Sequence, residues 1–328
     1  MRLFSRRHFI GQAAALALAG AFTLPAMATE LKTGRPISIV VPYGSGGTYD
    51  TFSRILAKGM SDYLKHPVIV ENKPGANGVI GATYVAQAAP DGHTLLMGGT
   101  GPVSLNIMLR KSLRYNFDSF DSVSLLFDGP LSIAVPTKLG FKSLQDVIDH
   151  SKKTGTPVNY ATLGPGSVTH LYGLLLGDTL GIKTEPVAYK GEAPSFIDFI
   201  AGLTTLSFSN PNSLNEYVKS GEVDILALST PERVPSFPNI PTIGELGYPQ
   251  LVSSFWGSMH APKGTPPDLL KKLSDATMYA AKQPEFVDML TKGGLRPLGE
   301  SPERLDAQMA SDREVWGKII KDNNIVLD

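Results

Sequence analysis

The chain contains no cysteine. Disulfide staples and thiolate chemistry are therefore excluded, and zinc loses its commonest sulfur ligand. The six histidines, at 8, 66, 93, 150, 170 and 260, show no metal-ligand spacing, so no metal or other cofactor is expected. Charge of either sign is not in excess: 30 basic residues face 30 acidic ones, and no dense basic stretch is present. That removes the electrostatic footprint of a nucleic-acid binder. No apolar run is long enough for a comfortable membrane span; the best, from about residue 10 to 24, falls short. The phosphate-binding pattern G-x-x-x-x-G-K-S/T is missing, and Tyr49 stands where a dinucleotide fingerprint needs its third glycine. The hydrolase elbow G-x-S-x-G is missing too.

What is present begins with an export signal. Arg6 and Arg7 give a twin-arginine look to a charged start, the apolar run follows, and Ala26-Met27-Ala28 supplies a small-x-small cleavage site. Residues 1–28 are thus expected to be removed, with cleavage near Ala28. Three of the basic residues and none of the acidic ones lie there, so the remainder carries about three excess negative charges. A lipid-anchored exported protein needs a cysteine at its new N-terminus, and none exists. The expected location is the periplasm, in soluble form.

The remaining length suits about two domains. Ser38-Ile39-Val40-Val41 reads as a buried strand. Pro42-Tyr43-Gly44-Ser45-Gly46-Gly47 reads as a tight turn, and residues 48–64, with an apolar stripe at helical spacing, as a helix. Strands at 68–70 and 94–97 alternate with a helix at 79–88, a rhythm that means parallel pairing with crossovers. Apolar runs at 123–127 and 131–135 lead into a second block of the same design. There, strand 158–161, a turn from Thr162 to Ser167, and helix 168–180 repeat the strand–glycine turn–helix pattern. Helices at 266–282, 285–292 and 302–323 each begin at or beside a proline. They are assigned as cover for the first block. The division expected is 29–127 with 255–328 as one lobe and 128–254 as the other, with a cleft between.

The first turn carries the chemistry. It is nearly bare of bulky side chains, and its backbone N–H groups sit at the positive end of a helix dipole, an anion site by construction. The amides around Ser45, Gly46, Gly47 and Thr48, aided by the hydroxyls of Tyr43, Ser45 and Thr48, are expected to hold a carboxylate. The second turn offers Gly166 and Ser167. Thr100 and Asn210, at strand ends facing the presumed cleft, complete the set, since ligands of open α/β sheets lie at the carboxyl ends of strands. Asp50, early in its helix, suits the dipole but repels an anion, so it reads as structural. His170 reads as a structural hydrogen-bonder. Trp256 and Phe255 read as core, with lining of the cleft as the alternative.

Together these residues resemble a known family. Residues 42–50 are similar to the P-F/Y-x-x-G-G-x-x-D signature of the tripartite tricarboxylate transporter receptors, the Bug-type periplasmic solute-binding proteins. Glu71-Asn72-Lys73-Pro74-Gly75-Ala76-Asn77-Gly78 and Ala89-Pro90-Asp91-Gly92-His93-Thr94 resemble their next motifs. Gly164-Pro165-Gly166-Ser167-Val168-Thr169-His170-Leu171 resembles their second glycine turn, and Tyr189-Lys190-Gly191-Glu192-Ala193-Pro194 a further motif. The resemblance covers nearly all of the chain after the signal. It implies an α/β, two-lobed, type II-like Venus-flytrap fold with parallel-rich sheets and a hinge. It implies no catalysis, a small carboxylate ligand (di- or tricarboxylate, or an aromatic acid), and delivery to membrane permease subunits. Thr162 and Tyr189 join the candidate ligand set on these motifs. Ser45, Phe52, Ser53, Leu163 and Leu174-Leu175 depart from the family pattern and leave the ligand preference open toward more apolar acids. Two other readings stand beside the receptor: an exported serine hydrolase using Ser167 and His170, and a ligand sensor for a signalling partner.

Overall fold

β1 (Ile37–Val41) is buried on both faces, which is why its sequence is almost continuously apolar rather than alternating. Ile37, Ile39 and Val41 enter one core and Val40 the core on the opposite face. The computed structural model describes residues 31–46, 48–189 and 192–327. The expected export signal, 1–28, and Gly47 lie outside the described residues.

β1 pairs in parallel with β2 (Val68–Asn72) and β3 (Thr94–Gly99). β4 (Phe120–Pro130), β10 (Ser254–Pro262) and β11 (Arg296–Glu300) extend the sheet antiparallel, in the order β11-β4-β10-β3-β1-β2. The second sheet contains β5 (Ser132–Pro136), β6 (Val158–Thr162), β7 (Thr184–Ala188), β8 (Leu206–Ser207) and β9 (Val223–Leu228). Its order is β7-β6-β8-β5-β9, with β6 parallel to β7 and β8 and β5 antiparallel to β8 and β9. The fold is α/β with two sheets. In each, parallel strands carry the crossover helices, and antiparallel strands lie next to the two places where the chain passes between sheets. Those places are the single residue Leu131 between β4 and β5, and the segment from β9 to β10.

The structure differs from the sequence reading in three places. β4 continues to Pro130, so the first sheet keeps three residues beyond the expected boundary at 127. β11 was not expected at all, because Pro297 and Gly299 argue against a strand. It is an edge strand, the one position where a missing N–H is tolerated. The last helix, Pro302–Asp322, does not cover the first sheet alone. Leu305 and Met309 pack into a core of the first sheet, whereas Trp316, Ile319 and Ile320 enter the core of the second. Leu327 N–H then donates to the Leu109 carbonyl, and Asn323 Nδ2 to Asp178 on helix Val168–Leu180.

His260 on β10 is buried, with Nε2 on the Ser258 hydroxyl at 2.8 Å and Nδ1 without a partner among the described residues. Burial pushes its pKa down to about 3. The unfolded imidazole titrates near 6.5, so on acidification the unfolded chain gains a proton that the folded chain refuses. This group leaves stability intact above about pH 6.5 and erodes it as pH falls toward 3. In urea titrations at pH 7.5 and pH 5, His260→Gln is expected to lose about 2 kcal/mol less than the parent across that interval.

Candidate ligand cleft

One cavity, of about 570 Å³, opens between the two sheets. The first turn contributes Tyr43 and Thr48; the second contributes Leu163, Ser167, Val168 and Thr169. The local chemistry of each turn explains its shape. Gly46 adopts φ +79°, a left-handed value that glycine takes without strain. Its N–H donates to Asp50 Oδ2 at 2.9 Å. Arg54 grips the same carboxylate from one helical turn on, at 3.1 Å to Oδ2 and 3.0 Å to Oδ1. The Arg54 bonds and then the Gly46 amide hold the Asp50 pKa down to about 2. Asn72 Nδ2 donates to the Tyr43 carbonyl at 3.2 Å, tying the turn to the end of β2.

In the second turn Ser167 is the N-cap of helix Val168–Leu180, its Oγ accepting from His170 N–H at 3.3 Å. That Oγ also donates to the Gly164 carbonyl at 2.7 Å and lies 2.8 Å from Thr162 Oγ1 and 3.1 Å from Thr169 Oγ1. Gly166 N–H donates to His170 Nδ1 at 3.1 Å, and burial lowers the His170 pKa.

These bonds correct one expectation. The amides of Gly46 and Gly166 are not open to a ligand, because Asp50 and His170 each reach back four residues to use them. They also contradict the hydrolase alternative. Nδ1 of His170 is held by a backbone amide, Ser167 Oγ donates to a carbonyl, and no bond joins that hydroxyl to the imidazole ring.

Of the other residues singled out in the sequence, Tyr43, Thr48, Thr100, Ser167 and Asn210 line the cavity. Thr100 Oγ1 also accepts from Trp256 N–H at 2.9 Å, and Asn210 Oδ1 from Asn212 N–H at 2.8 Å. Thr162 is buried and lines only a smaller adjoining hollow. Ser45 and Gly46 are exposed and are not in the wall. Gly166 is not in the wall either: it faces Leu327 and Leu109. Tyr189 turns its hydroxyl to Asp198, 3.0 Å away, and is also outside the wall. Trp256 is fully buried, while its neighbour Phe255 lines the cavity.

The wall adds residues outside the ligand set expected from the sequence. Asn77, Asn212 and Thr169 bring polar groups; Phe52, Leu131, Phe208, Phe255 and Leu295 bring apolar surface; Glu192 brings a carboxylate. Asn77, Thr169 and Glu192 sit inside the quoted motifs, which was the available signal. Of the apolar residues, Phe255 carries the reading of core or cleft lining; the others carry no signal, since cleft and core look alike in a sequence. Burial raises the Tyr43 and Tyr49 pKa values, so both phenols stay protonated; Tyr49 donates to the Trp256 carbonyl at 3.2 Å. No lysine, arginine or histidine is among the described wall residues. Positive potential comes instead from two helix N-termini, whose first residues, Thr48 and Tyr49 on one side and Val168 and Thr169 on the other, face the same space.

Comparison with known proteins follows this geometry. Residues 52–325 match the model of the tripartite tricarboxylate transporter family receptor. The chain belongs to that family. BugT of Bordetella pertussis is 32% identical over 321 residues, covering 97% of this chain and 96% of that protein. Among solved structures, MatC from Rhodopseudomonas palustris with bound malate is 29% identical with TM-score 0.75, covering 88% of this chain and 100% of that one. A second R. palustris protein, with adipate, is 28% identical with TM-score 0.78, covering 90% and 99%. Tripartite tricarboxylate transporter receptors are periplasmic solute-binding proteins and not enzymes. Their two-lobed α/β architecture is the one described above. Among the described residues no helix is long and apolar enough to cross a membrane, and no three His, Cys, Asp or Glu residues gather as a metal site.

Proposed function

We propose that this chain, exported by a cleaved signal at residues 1–28, is a receptor that captures a small carboxylate between its two sheets and delivers it to a tripartite tricarboxylate-type permease. The observation that carries the reading is the shared cavity: both glycine turns, one per sheet, put wall residues into the same hollow. Its volume, about 570 Å³, falls within the range of small-molecule sites. The two helix N-termini favour an anion without any fixed cation. The hydroxyl of Thr48 and the amides of Asn77, Asn210 and Asn212 give the directional bonds, while Ser167, its proton on the Gly164 carbonyl, holds the second turn against the ligand space. Net hydrogen bonds to a charged partner contribute roughly 1.5–3 kcal/mol each, so two or three, with apolar contact, reach micromolar binding.

The two sheets act as lobes that close on the ligand, with Leu131 and the β9–β10 segment as hinge strands. Closure is driven by contacts the ligand makes to both lobes only in the closed form. A permease would read that form.

A thermal-shift and calorimetric screen of mono-, di- and tricarboxylates tests the reading, since a ligand of the folded state raises apparent stability. At least one carboxylate is expected to bind. Thr48→Ala, on the first sheet's side, and Ser167→Ala, on the second's, are each expected to weaken it about tenfold or more. Binding that survives both substitutions unchanged would refute capture between the two turns.

A further inference from the structure

Among the described residues the cavity wall holds one carboxylate, and its setting narrows the ligand class. This inference rests on the receptor reading above. Glu192 opens helix Glu192–Ile200 and borders both the main cavity and the adjoining hollow of about 20 Å³. Thr169 and Ser209 border both spaces as well, so two hydroxyls accompany the acid at the junction. No described lysine, arginine or histidine lines either space, and no ion pair among the described residues includes Glu192. Although the residue as a whole is exposed, protein around its carboxyl group pushes its pKa up. Among the described residues, an ionised acid in such a place has only the N-terminal dipole of its own helix to offset it, and no full positive charge.

A ligand with a second carboxylate would bring like charge against Glu192, where screening by water is reduced. A ligand with an ammonium group would supply the missing partner, and the Thr169 and Ser209 hydroxyl oxygens would accept hydrogen bonds from its remaining N–H groups. Elsewhere in the wall Phe52, Leu131, Phe208, Phe255 and Leu295 form an apolar surface that suits an apolar body, beside the amides of Asn77, Asn210 and Asn212 that serve the carboxylate. We propose that the receptor selects an amino monocarboxylic acid with an apolar body, its carboxylate at the two helix N-termini and its ammonium read by Glu192.

The test is calorimetry on the mature chain with paired probes. Amino acids, α- and ω-amino alike, are titrated against the same acids lacking the amine, such as phenylalanine against 3-phenylpropionate and leucine against 4-methylpentanoate. Malate and adipate complete the panel. At least one amino acid is expected to bind about tenfold or more tightly than its amine-free counterpart. Glu192→Gln is expected to erase most of that ratio by weakening the amino acid, leaving the amine-free acid within about twofold or tighter. Glu192→Asp, which keeps the charge, is expected to retain part of the preference. The proposal is overturned if amine-free acids bind as well as their amino partners, if Glu192→Gln leaves the ratio unchanged, or if malate or adipate outcompetes every amino acid. Those outcomes leave carboxylate capture standing. Absence of binding by every acid in the panel would instead overturn the receptor reading and this inference with it.

Discussion

Trp256→Ala is expected to cost about 5 kcal/mol of folding stability, the largest loss of any single truncation considered for this chain. The indole is fully buried and packs in a core with Leu96, Leu125, Leu305 and Met309. Truncating a buried Phe or Trp costs about 3–5 kcal/mol in transfer and cavity terms. A second cost adds to it. Trp256 Nε1 donates to Asp312 Oδ2 at 3.0 Å, and Asp312 is itself buried, with its pKa raised to about 6 mainly by desolvation. Removing that donor strips a buried carboxylate of a charged hydrogen bond. Urea denaturation at pH 7.5 measures the total. The second component is expected to shrink in Trp256→Ala as pH is lowered through 6, where the folded Asp312 gains its proton. A loss below about 2 kcal/mol, with no pH dependence distinct from the parent's, would contradict this account of the β10 core.

Asp50→Ala is expected to lower stability by about 2–3 kcal/mol and to weaken ligand binding by about tenfold or more, although Asp50 is not in the cavity wall. Its carboxylate accepts from the Gly46 amide and from Arg54, so its removal frees the first turn from its helix. The folded pKa, about 2, lies below the unfolded value near 3.9, so this stabilisation is complete above about pH 4 and disappears as pH falls toward 2. Asp50→Asn, which keeps the shape but not the charge, should fall between parent and alanine. Arg54→Ala should cost less, about 1 kcal/mol, because the guanidinium is more than half exposed. If Asp50→Ala destabilised the fold without touching affinity, the turn would not be part of the site.

These two residues mark what a sequence makes legible. Asp50 was readable as structural because a carboxylate in a first helical turn has a known electrostatic preference. Its capture of the Gly46 amide was not, since a bare glycine turn looks the same whether its N–H groups are spoken for or free. The first strand–turn–helix unit was visible because β1 is almost continuously apolar and the helix after it, Thr48–Leu64, carries a clear stripe. β11 was hidden by Pro297 and Gly299; the proline's missing N–H is tolerated because the strand lies at the sheet edge. The last helix kept a regular apolar stripe, but periodicity cannot say that Leu305 and Trp316 belong to different cores. In the cleft, the polar wall residues Asn77, Thr169 and Glu192 fell inside recognisable motifs, whereas Asn212 did not. Phe52, Leu131, Phe208 and Phe255 did not, because an apolar side chain facing a ligand and one facing a core obey the same hydrophobic rule.

The central claim is that one acid is held by both glycine turns at once. A crystal structure of the mature chain grown with the tightest carboxylate from the screen tests it most directly. The account predicts ligand density in the cavity, its carboxylate within hydrogen-bonding distance of a group on the Tyr43–Thr48 side and of one on the Leu163–Thr169 side. Ligand bound elsewhere, or bound in the cavity against one turn with the other left in water, would contradict it.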